Sequence, residues 1–173
     1  MMYSGKRHFG LSGGGFSLIE LIIVVVILLI GAMVAIPMVT SAGSFQLSSV
    51  ANMIAADLEY AKQMAITRGG MYSVVFDKAK ESYQIVDQGG SVIAHPVKIG
   101  FSYSVKLRAD SRTDKVNIKD VDFDFTKIVK FDYFGSPYNG SGNPLGAGSI
   151  TLKVDGDEII ISVEPVTGHI SFQ

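Results

Sequence analysis

The feature that most constrains this 173-residue chain is an apolar run near its N-terminus. The run extends from Phe16 to Val39, and Glu20 is the only charged residue among its 24 positions. A helix rises about 1.5 Å per residue, so this length covers roughly 36 Å, enough to cross a bilayer core of about 30 Å. A helix buried in a soluble core would not need so many uncharged residues. The run therefore predicts a helix that crosses a membrane.

Two simpler kinds of membrane-directed segment explain the run less completely. A secretory signal peptide has an apolar centre of about 7 to 15 residues that ends at small residues, whereas this run is longer and ends at Ala35-Ile36-Pro37-Met38. A plain single-pass anchor explains the length, with Lys6 and Arg7 held in the cytoplasm by the positive-inside rule. It leaves Glu20 unexplained, because a carboxylate in an apolar helix costs free energy and usually marks a partner or a function.

The residues at the start of the run are Gly15-Phe16-Ser17-Leu18-Ile19-Glu20. This stretch resembles the processing site of type IV prepilins. The resemblance implies that a membrane prepilin peptidase cleaves after Gly15 and N-methylates Phe16, the new terminus. Residues 1–15 would then be a cleaved leader, residues 16–39 a transmembrane and assembly helix, and Glu20 the fifth residue of the mature chain.

The charges at this site fit assembly into a filament of packed helices. The amine freed at Phe16 is a cation, and the Glu20 carboxylate lies about one helical turn further along. Pairing Glu20 of one subunit with the Phe16 amine of a neighbour would offset the cost of burying either charge, and would select the axial register. The partners that the resemblance implies are other pseudopilins or pilins, the membrane and the assembly platform of the system.

A second, amphipathic stretch continues the helix over residues 40–69. Pro37 precedes it and predicts a kink, since an interior proline removes a helix hydrogen bond. Apolar residues then recur at three- and four-residue spacing, which indicates one buried face. This stripe consists of Leu47, Val50, Ile54, Leu58, Ala61 and Ala65. Gly69-Gly70 predicts the end of the helix.

Residues 70–173 have the period-two pattern and the turn residues of a β-rich domain. The predicted strands are Met71–Phe76, Ser82–Val86, Ser91–Ala94 with 96–99, Phe101–Leu107, Val116–Phe125, Ile128–Phe134, Ile150–Val154, Glu158–Val163 and His169–Phe172. The alternation of Val121 to Phe125 puts apolar residues on one face and carboxylates on the other, and residues 136–149 are a predicted loop. The fold class is α+β: a long N-terminal helix, transmembrane and then amphipathic, packed on an antiparallel sheet domain.

This domain resembles the GspH/FimT group of minor pseudopilins and minor pilins. The resemblance is carried by residues 58–66 followed by the Tyr72–Phe76 strand, by Val129–Gly135 before a glycine-rich loop, and by the closing strands. Members often have Arg where this chain has His169, which weakens any inference that needs a basic C-terminus. The fold that the resemblance implies is pilin-like.

Composition excludes several kinds of chemistry. The chain has no cysteine, so a disulfide, a thiolate metal site and a cysteine nucleophile are excluded. Its net charge is −1, and loss of Lys6 and Arg7 with the leader makes it −3, which argues against a nucleic-acid partner. The histidines, His8, His95 and His169, lack metal-ligand spacing. We expect no catalytic residue, no cofactor and no metal.

Asp120, Asp122 and Asp124 leave two interpretations open. Their spacing puts the three carboxylates on one face of a strand, which suits either a weak cation site or a solvated edge, and a solvated edge is the commoner case.

The two resemblances together imply a minor pseudopilin. It would be a single-pass protein of the cell inner membrane with a periplasmic domain, and a structural subunit of a type II secretion pseudopilus that exports proteins. The alternatives are a minor pilin of a type IV pilus, used in assembly, adhesion or DNA uptake, and a membrane-anchored binding domain unrelated to filaments.

Overall fold

The computed structural model describes residues 17–173, and the side chains of residues 33–42 lie outside that description. Gly15, Phe16 and the predicted leader therefore lie outside the described residues. The chain divides into two compact units, with the division between Val39 and Thr40. Each unit is described separately below.

One helix, α1, spans Leu18–Arg68 and supplies residues to both units. It ends where the sequence predicts, because Gly69 adopts a φ of +64° and the Gly70 N–H donates to the Ala65 carbonyl at 3.2 Å. This is the hydrogen bond of a glycine-terminated helix, and it satisfies a carbonyl that would otherwise lack a partner. The weak helix former Gly43 is helical as well, and it has a packing role. A Cβ atom at that position would lie 2.9 Å from Val154 Cγ1.

Nine strands follow the helix. They are β1 Tyr72–Asp77, β2 Ser82–Val86, β3 Ser104–Lys106, β4 Asn117–Phe123, β5 Ile128–Phe131, β6 Pro137–Asn139, β7 Gly148–Val154, β8 Asp157–Val163 and β9 Ile170–Phe172. Two 3₁₀ turns, Lys78–Lys80 and Leu107–Ala109, follow β1 and β3.

The strands form two antiparallel sheets. The first has the order β3-β2-β1-β5-β6, and the second has the order β4-β7-β8-β9. The β1–β2 and β7–β8 hairpins confirm the two clearest hairpin predictions, with register pairs such as Val74 with Ile85 and Leu152 with Ile159. Helix and antiparallel sheet together confirm the predicted α+β fold class.

Some predicted strand bounds were wrong. Residues 91–99 contribute only isolated bridges, such as Ala94 with Ser102, because the chain turns through a tight loop stabilised by local hydrogen bonds. The predicted loop 136–149 contains β6, in which Pro137 sits at a sheet edge where its missing N–H is tolerated. Strand β4 ends at Phe123, so Phe125 is not a core residue and is 97% exposed.

The helix stripe and both sheets share one hydrophobic core in the second unit. All six predicted stripe residues are buried, with exposed fractions of 2% or less. The sheets add alternate residues to the same cluster, most regularly along β7, where every second side chain is buried. Burying a side chain of Val, Leu or Ile stabilises a fold by about 1.5–3 kcal/mol, so this stripe holds residues 43–68 on the sheets.

Candidate functional site

The candidate site is the apolar segment, residues 18–32 of α1. Its aliphatic side chains from Leu18 to Ile30 are exposed by 45–77%. An apolar surface of this extent is much larger than a soluble protein normally leaves in water, and it marks a surface covered by other molecules. The segment has apolar residues all around the helix, in contrast to the one-sided stripe further along.

Glu20 is the one charge on this segment, and it lies in the first turn of α1. Its side chain is exposed, and it has no hydrogen bond or ion pair among the described residues. The residues one turn along, Ile23 and Val24, are apolar and offer it no partner. The positive end of the helix dipole favours a carboxylate in this turn. Within residues 17–173 of one copy, no cation pairs with Glu20.

Among the described residues, no helix is both long enough and apolar enough to cross a membrane.

The predicted processing and assembly residues are described only in part. Glu20 is placed as above. Gly15 and Phe16 lie outside the described residues, and so does the side chain of Pro37, so the cleavage site, the Phe16–Glu20 pairing and the kink stay predictions.

A polar cluster between helix and first sheet was not predicted. The Asp57 carboxylate on α1 accepts a hydrogen bond from the Tyr83 hydroxyl at 2.5 Å and another from the Tyr103 hydroxyl at 2.7 Å. The Tyr103 ring is stacked between His95, at 4.6 Å between centroids, and Tyr60, at 5.5 Å. Sequence periodicity puts Asp57 next to the buried stripe, but no pattern in the sequence identifies residues 83 and 103 as its partners.

Burial controls the protonation of this cluster. It raises the pKa of Asp57 above its ordinary value of 3.8, although the two tyrosine hydrogen bonds and the charge of His95 act in the opposite direction. Burial and the adjacent carboxylate raise the pKa of Tyr83 and of Tyr103, so both hydroxyls stay protonated as donors. The cluster ties α1 to β2 and to the chain before β3, and its chemistry is that of a structural clamp.

The remaining candidate residues are not gathered into a site. His169 is exposed, and its N–H donates to Thr167 Oγ1 at 3.3 Å, while His8 lies outside the described residues. Asp120 and Asp122 share a face of β4, but Asp124 follows the strand and accepts hydrogen bonds from the Gly146 and Ala147 N–H groups. Within residues 17–173, no group of three or more acidic or histidine side chains is arranged as metal ligands.

Comparison with known proteins bears on the fold. No protein-family model matches the chain, and no curated protein matches it. Among solved structures, the minor pseudopilin EpsH from the type 2 secretion system of Vibrio cholerae matches with a TM-score of 0.53 and 11% sequence identity. The match covers 74% of this chain and 96% of EpsH. The chain therefore has a pilin-like fold, a long helix packed on antiparallel sheets, as EpsH does.

The type IV minor pilin FimU from Pseudomonas aeruginosa also matches in two crystal forms, with TM-scores of 0.48 and 0.49 and 19% identity. These matches cover 73% of this chain and 92% or 87% of FimU. The assignment of the fold rests on the match to EpsH, which has a higher TM-score than the two FimU structures. It confirms the pilin-like architecture that the GspH/FimT resemblance implied.

Proposed function

We propose that the chain is a minor pseudopilin, a structural subunit of a type II secretion pseudopilus that takes part in protein export across the outer membrane. The observation that carries this proposal is the exposed apolar segment, with its single carboxylate at Glu20, joined to a domain of pilin-like fold. A filament subunit needs both parts: a helix that packs with other helices and a domain that covers them.

The apolar segment belongs in lipid before assembly and among helices afterwards. We propose that residues 16–39 span the inner membrane once, with Lys6 and Arg7 on the cytoplasmic side and residues 70–173 in the periplasm. Phe16 and the side chains of residues 33–39 belong to this span and lie outside the described residues. Lipid and helix side chains are equally apolar, so the aliphatic surface suits both environments.

Cleavage after Gly15 would give the filament its register. It removes the two basic residues of the leader, keeps the apolar run, and creates an amine at Phe16. Glu20 is unpaired among the described residues, so it is available to the Phe16 amine of a neighbouring subunit. Leaving one partner of a buried ion pair unmatched costs about 3–5 kcal/mol, which is enough to reject a shifted register.

The type IV minor pilin is the neighbouring alternative, since the GspH/FimT group that the sequence resembles includes minor pilins as well as minor pseudopilins. The processing motif and the fold are compatible with both systems. The genes that neighbour this one can distinguish them. Genes for a secretin and four companion pseudopilins point to secretion, and a gene for a pilus retraction motor points to a pilus.

Mass spectrometry of the mature N-terminus tests the proposal. The chain is purified from membranes of cells that contain the prepilin peptidase and, as a control, from cells that lack it. We expect a terminus at methylated Phe16 in the first case and at Met1 in the second. A terminus at Met1 in both would indicate a plain anchor, and a terminus beyond Val39 would indicate a cleaved signal peptide; either result overturns the proposal.

A further inference from the structure

The chain between β2 and β4 has three exposed apolar side chains within five residues. Val97 is 82% exposed, Ile99 is 93% exposed and Phe101 is 67% exposed. Single apolar residues on a surface are ordinary, but several close together mark a surface that other molecules cover. We call residues 91–116 the lobe, and residues 97–101 its tip.

The tip has a fixed shape that its own hydrogen bonds maintain. The His95 N–H donates to the Phe101 carbonyl at 2.8 Å, and the Phe101 N–H donates to the Lys98 carbonyl at 3.1 Å. His95 Nδ1 accepts from the Val97 and Lys98 N–H groups, both at 3.1 Å. The His95 ring stacks on Tyr103, with 4.6 Å between the ring centroids. The exposure of the three apolar side chains therefore follows from the shape of a closed turn.

The lobe is basic, whereas the rest of the β-rich domain is acidic. The lobe contains five cations and two carboxylates, which give a net charge of +3. The other residues of 70–173 contain six cations and eleven carboxylates, which give a net charge of −5. This separation of charge indicates that the lobe faces a negatively charged partner.

The exposed charge of the lobe is mainly lysine. Of its two carboxylates, Asp110 is paired with Arg112 at 2.6 Å, and Asp114 is partly buried. Three lysines are exposed and form no salt bridge within residues 17–173: Lys98, Lys106 and Lys115. These ammonium groups are available to anions outside the chain.

The lobe lies beside the first part of the helix in the second unit. The Gln46 side-chain N–H donates to the Ser111 carbonyl at 3.2 Å. The tip residues Lys98 and Phe101 line one groove together with residues 109–113, so tip and Ser111 belong to the same side of the unit. Gln46 follows the proposed span by seven residues, which reach at most about 25 Å when fully extended. Chain length therefore allows the lobe to reach the surface of the membrane.

A projecting apolar tip with lysines around it suits a lipid surface. The boundary between headgroups and acyl chains accepts apolar side chains in any arrangement, without the matching recess that a folded protein must supply. Lysine ammonium groups pair with lipid phosphates while their aliphatic stems lie along apolar surface. The apolar tip and the basic charge of the lobe are thus both explained by one partner, an anionic bilayer.

We propose that the lobe lies on the anionic lipid headgroups of the membrane before the subunit is assembled. Val97, Ile99 and Phe101 enter the boundary between headgroups and acyl chains, and the lysines lie at the level of the phosphates. The contact rests on the proposed function, since a span at residues 16–39 holds the domain at this membrane and makes a weak contact sufficient.

Quenching of a fluorophore by lipid tests this contact. The chain has no cysteine, so Ser102→Cys accepts a single fluorophore next to the tip and leaves its apolar side chains and lysines in place. The full-length chain is reconstituted in vesicles of phosphatidylcholine with about 30% phosphatidylglycerol, some of it with a nitroxide on the headgroup. We expect strong quenching that falls in phosphatidylcholine alone. It should also fall as salt shortens the Debye length from about 10 Å at 0.1 M to about 3 Å at 1 M.

Ser141→Cys supplies a matched control. Ser141 is also an exposed serine, and it follows β6, which forms the edge of the first sheet opposite β3. Four strand spacings amount to about 19 Å, so a fluorophore there should show little quenching. Equal quenching at the two sites overturns the contact, and so does quenching at Ser102 that is the same with and without phosphatidylglycerol.

The lysines of the lobe are tested by Lys98→Gln combined with Lys106→Gln. Each cation near an anionic surface strengthens binding about fivefold, so the ratio of lipid-bound to lipid-free domains should fall about 25-fold. Lys78→Gln combined with Lys80→Gln removes the same charge from exposed positions outside the lobe and should leave the ratio unchanged. Equal losses from the two pairs would contradict a contact made by the lobe.

Ile99→Ser tests the apolar tip. The side chain is almost fully exposed, so the urea midpoint of the second unit should stay unchanged. The ratio of lipid-bound to lipid-free domains should fall about tenfold or more, because the apolar surface of Ile99 no longer enters lipid. An unchanged ratio would show that the tip stays in water, contrary to the proposal.

Flotation of the same vesicles distinguishes failure of the contact from failure of the proposed function. A chain that floats with the vesicles without quenching at Ser102 overturns the contact of the lobe and leaves the proposed span standing. A chain that does not float overturns both. Quenching at Ser102 that is lost from lipid but replaced by cross-links to companion subunits would assign the lobe to a protein partner, and would also overturn the lipid contact.

Discussion

Two parts of helix α1 have the same kind of side chain and opposite surroundings. The aliphatic residues from Leu18 to Ile30 are exposed by 45–77%, whereas the stripe from Leu47 to Ala65 is exposed by 2% or less. Helix propensity does not explain the difference, because the apolar segment is rich in Ile and Val, which are weaker helix formers than the Leu and Ala of the stripe, and yet both parts are helical. The difference is whether the chain itself covers the apolar surface. The stripe is covered by the sheets, and the apolar segment has no cover among the described residues.

This comparison shows which molecule covers the apolar surface of each part of the helix. The second unit completes its own core, so its stability is a property of the single chain. The apolar segment is completed by other molecules, so substitutions there should alter assembly and leave the stability of the second unit unchanged. The predictions below test that separation, from the largest expected effect to the smallest.

Ile54→Ala and Ile23→Ala form the first matched pair. Ile54 is fully buried, so its truncation should lower the free energy of unfolding by about 2–5 kcal/mol through lost burial and a cavity. Ile23 is 53% exposed, and its truncation should leave that quantity unchanged. Urea unfolding of the full-length chain in mild detergent, followed by near-ultraviolet circular dichroism, measures both. Every tyrosine after the leader lies in the second unit, so the signal reports that unit. A comparable loss of unfolding free energy in both variants would show that the apolar segment also contributes to the stability of the second unit.

Asp57→Asn should destabilise the second unit by about 1–3 kcal/mol, because the amide NH₂ replaces the carboxylate oxygen that accepts from one of the two tyrosine hydroxyls, and that hydroxyl loses its acceptor. The loss should depend on pH. The folded pKa of Asp57 is raised, so the native carboxyl contributes stability that is fully present below about pH 3.8 and is lost as pH rises through the folded pKa. The destabilisation by Asn should therefore be larger at pH 4 than at pH 7. Thermal melts of the wild type and of Asp57→Asn at pH 4 and at pH 7 check this. If the difference in stability between the two proteins were larger at pH 7, the folded protein would stabilise the charged carboxylate, contrary to the raised pKa.

Gly43→Ala and Gly31→Ala test the helix backbone in the two parts. A Cβ at residue 43 would clash with Val154, so we expect a loss of about 1–3 kcal/mol in the second unit. A Cβ at residue 31 meets nothing within 4 Å, and alanine there should leave the urea midpoint of that unit unchanged. The same circular dichroism titration compares the two. Equal midpoints for both variants would mean that the close approach at Gly43 has no energetic role.

The sequence predicted the covered part of the molecule well, for a physical reason. The stripe, the glycine stop after Arg68 and the hairpins at β1–β2 and β7–β8 follow from local periodicity and turn chemistry, and all are present. The partners of Asp57 and the exposure of Phe125 could not be predicted in this way. The first depends on contacts 26 and 46 residues apart, and the second depends on a turn that interrupts a perfect alternation.

The candidate site was predicted from a motif rather than from periodicity. Glu20 stands out because it is the one charge in an apolar run, and that signal needs no knowledge of the fold. The fold adds that Glu20 is exposed and unpaired among the described residues. Its partner belongs to another chain in our proposal, which neither the sequence nor the fold of a single copy can supply.

Incorporation of Glu20→Ala into the filament tests the central claim most directly. The variant and wild type are produced with the other subunits of the system, and the amount of each in sheared filaments is compared with the amount in the inner membrane. Glu59→Ala, a change of the same kind in the second unit, is the control. We expect Glu20→Ala to reach the membrane at the wild-type level and to be lost from filaments, with Glu59→Ala unaffected. Incorporation of Glu20→Ala at the wild-type level would contradict the account.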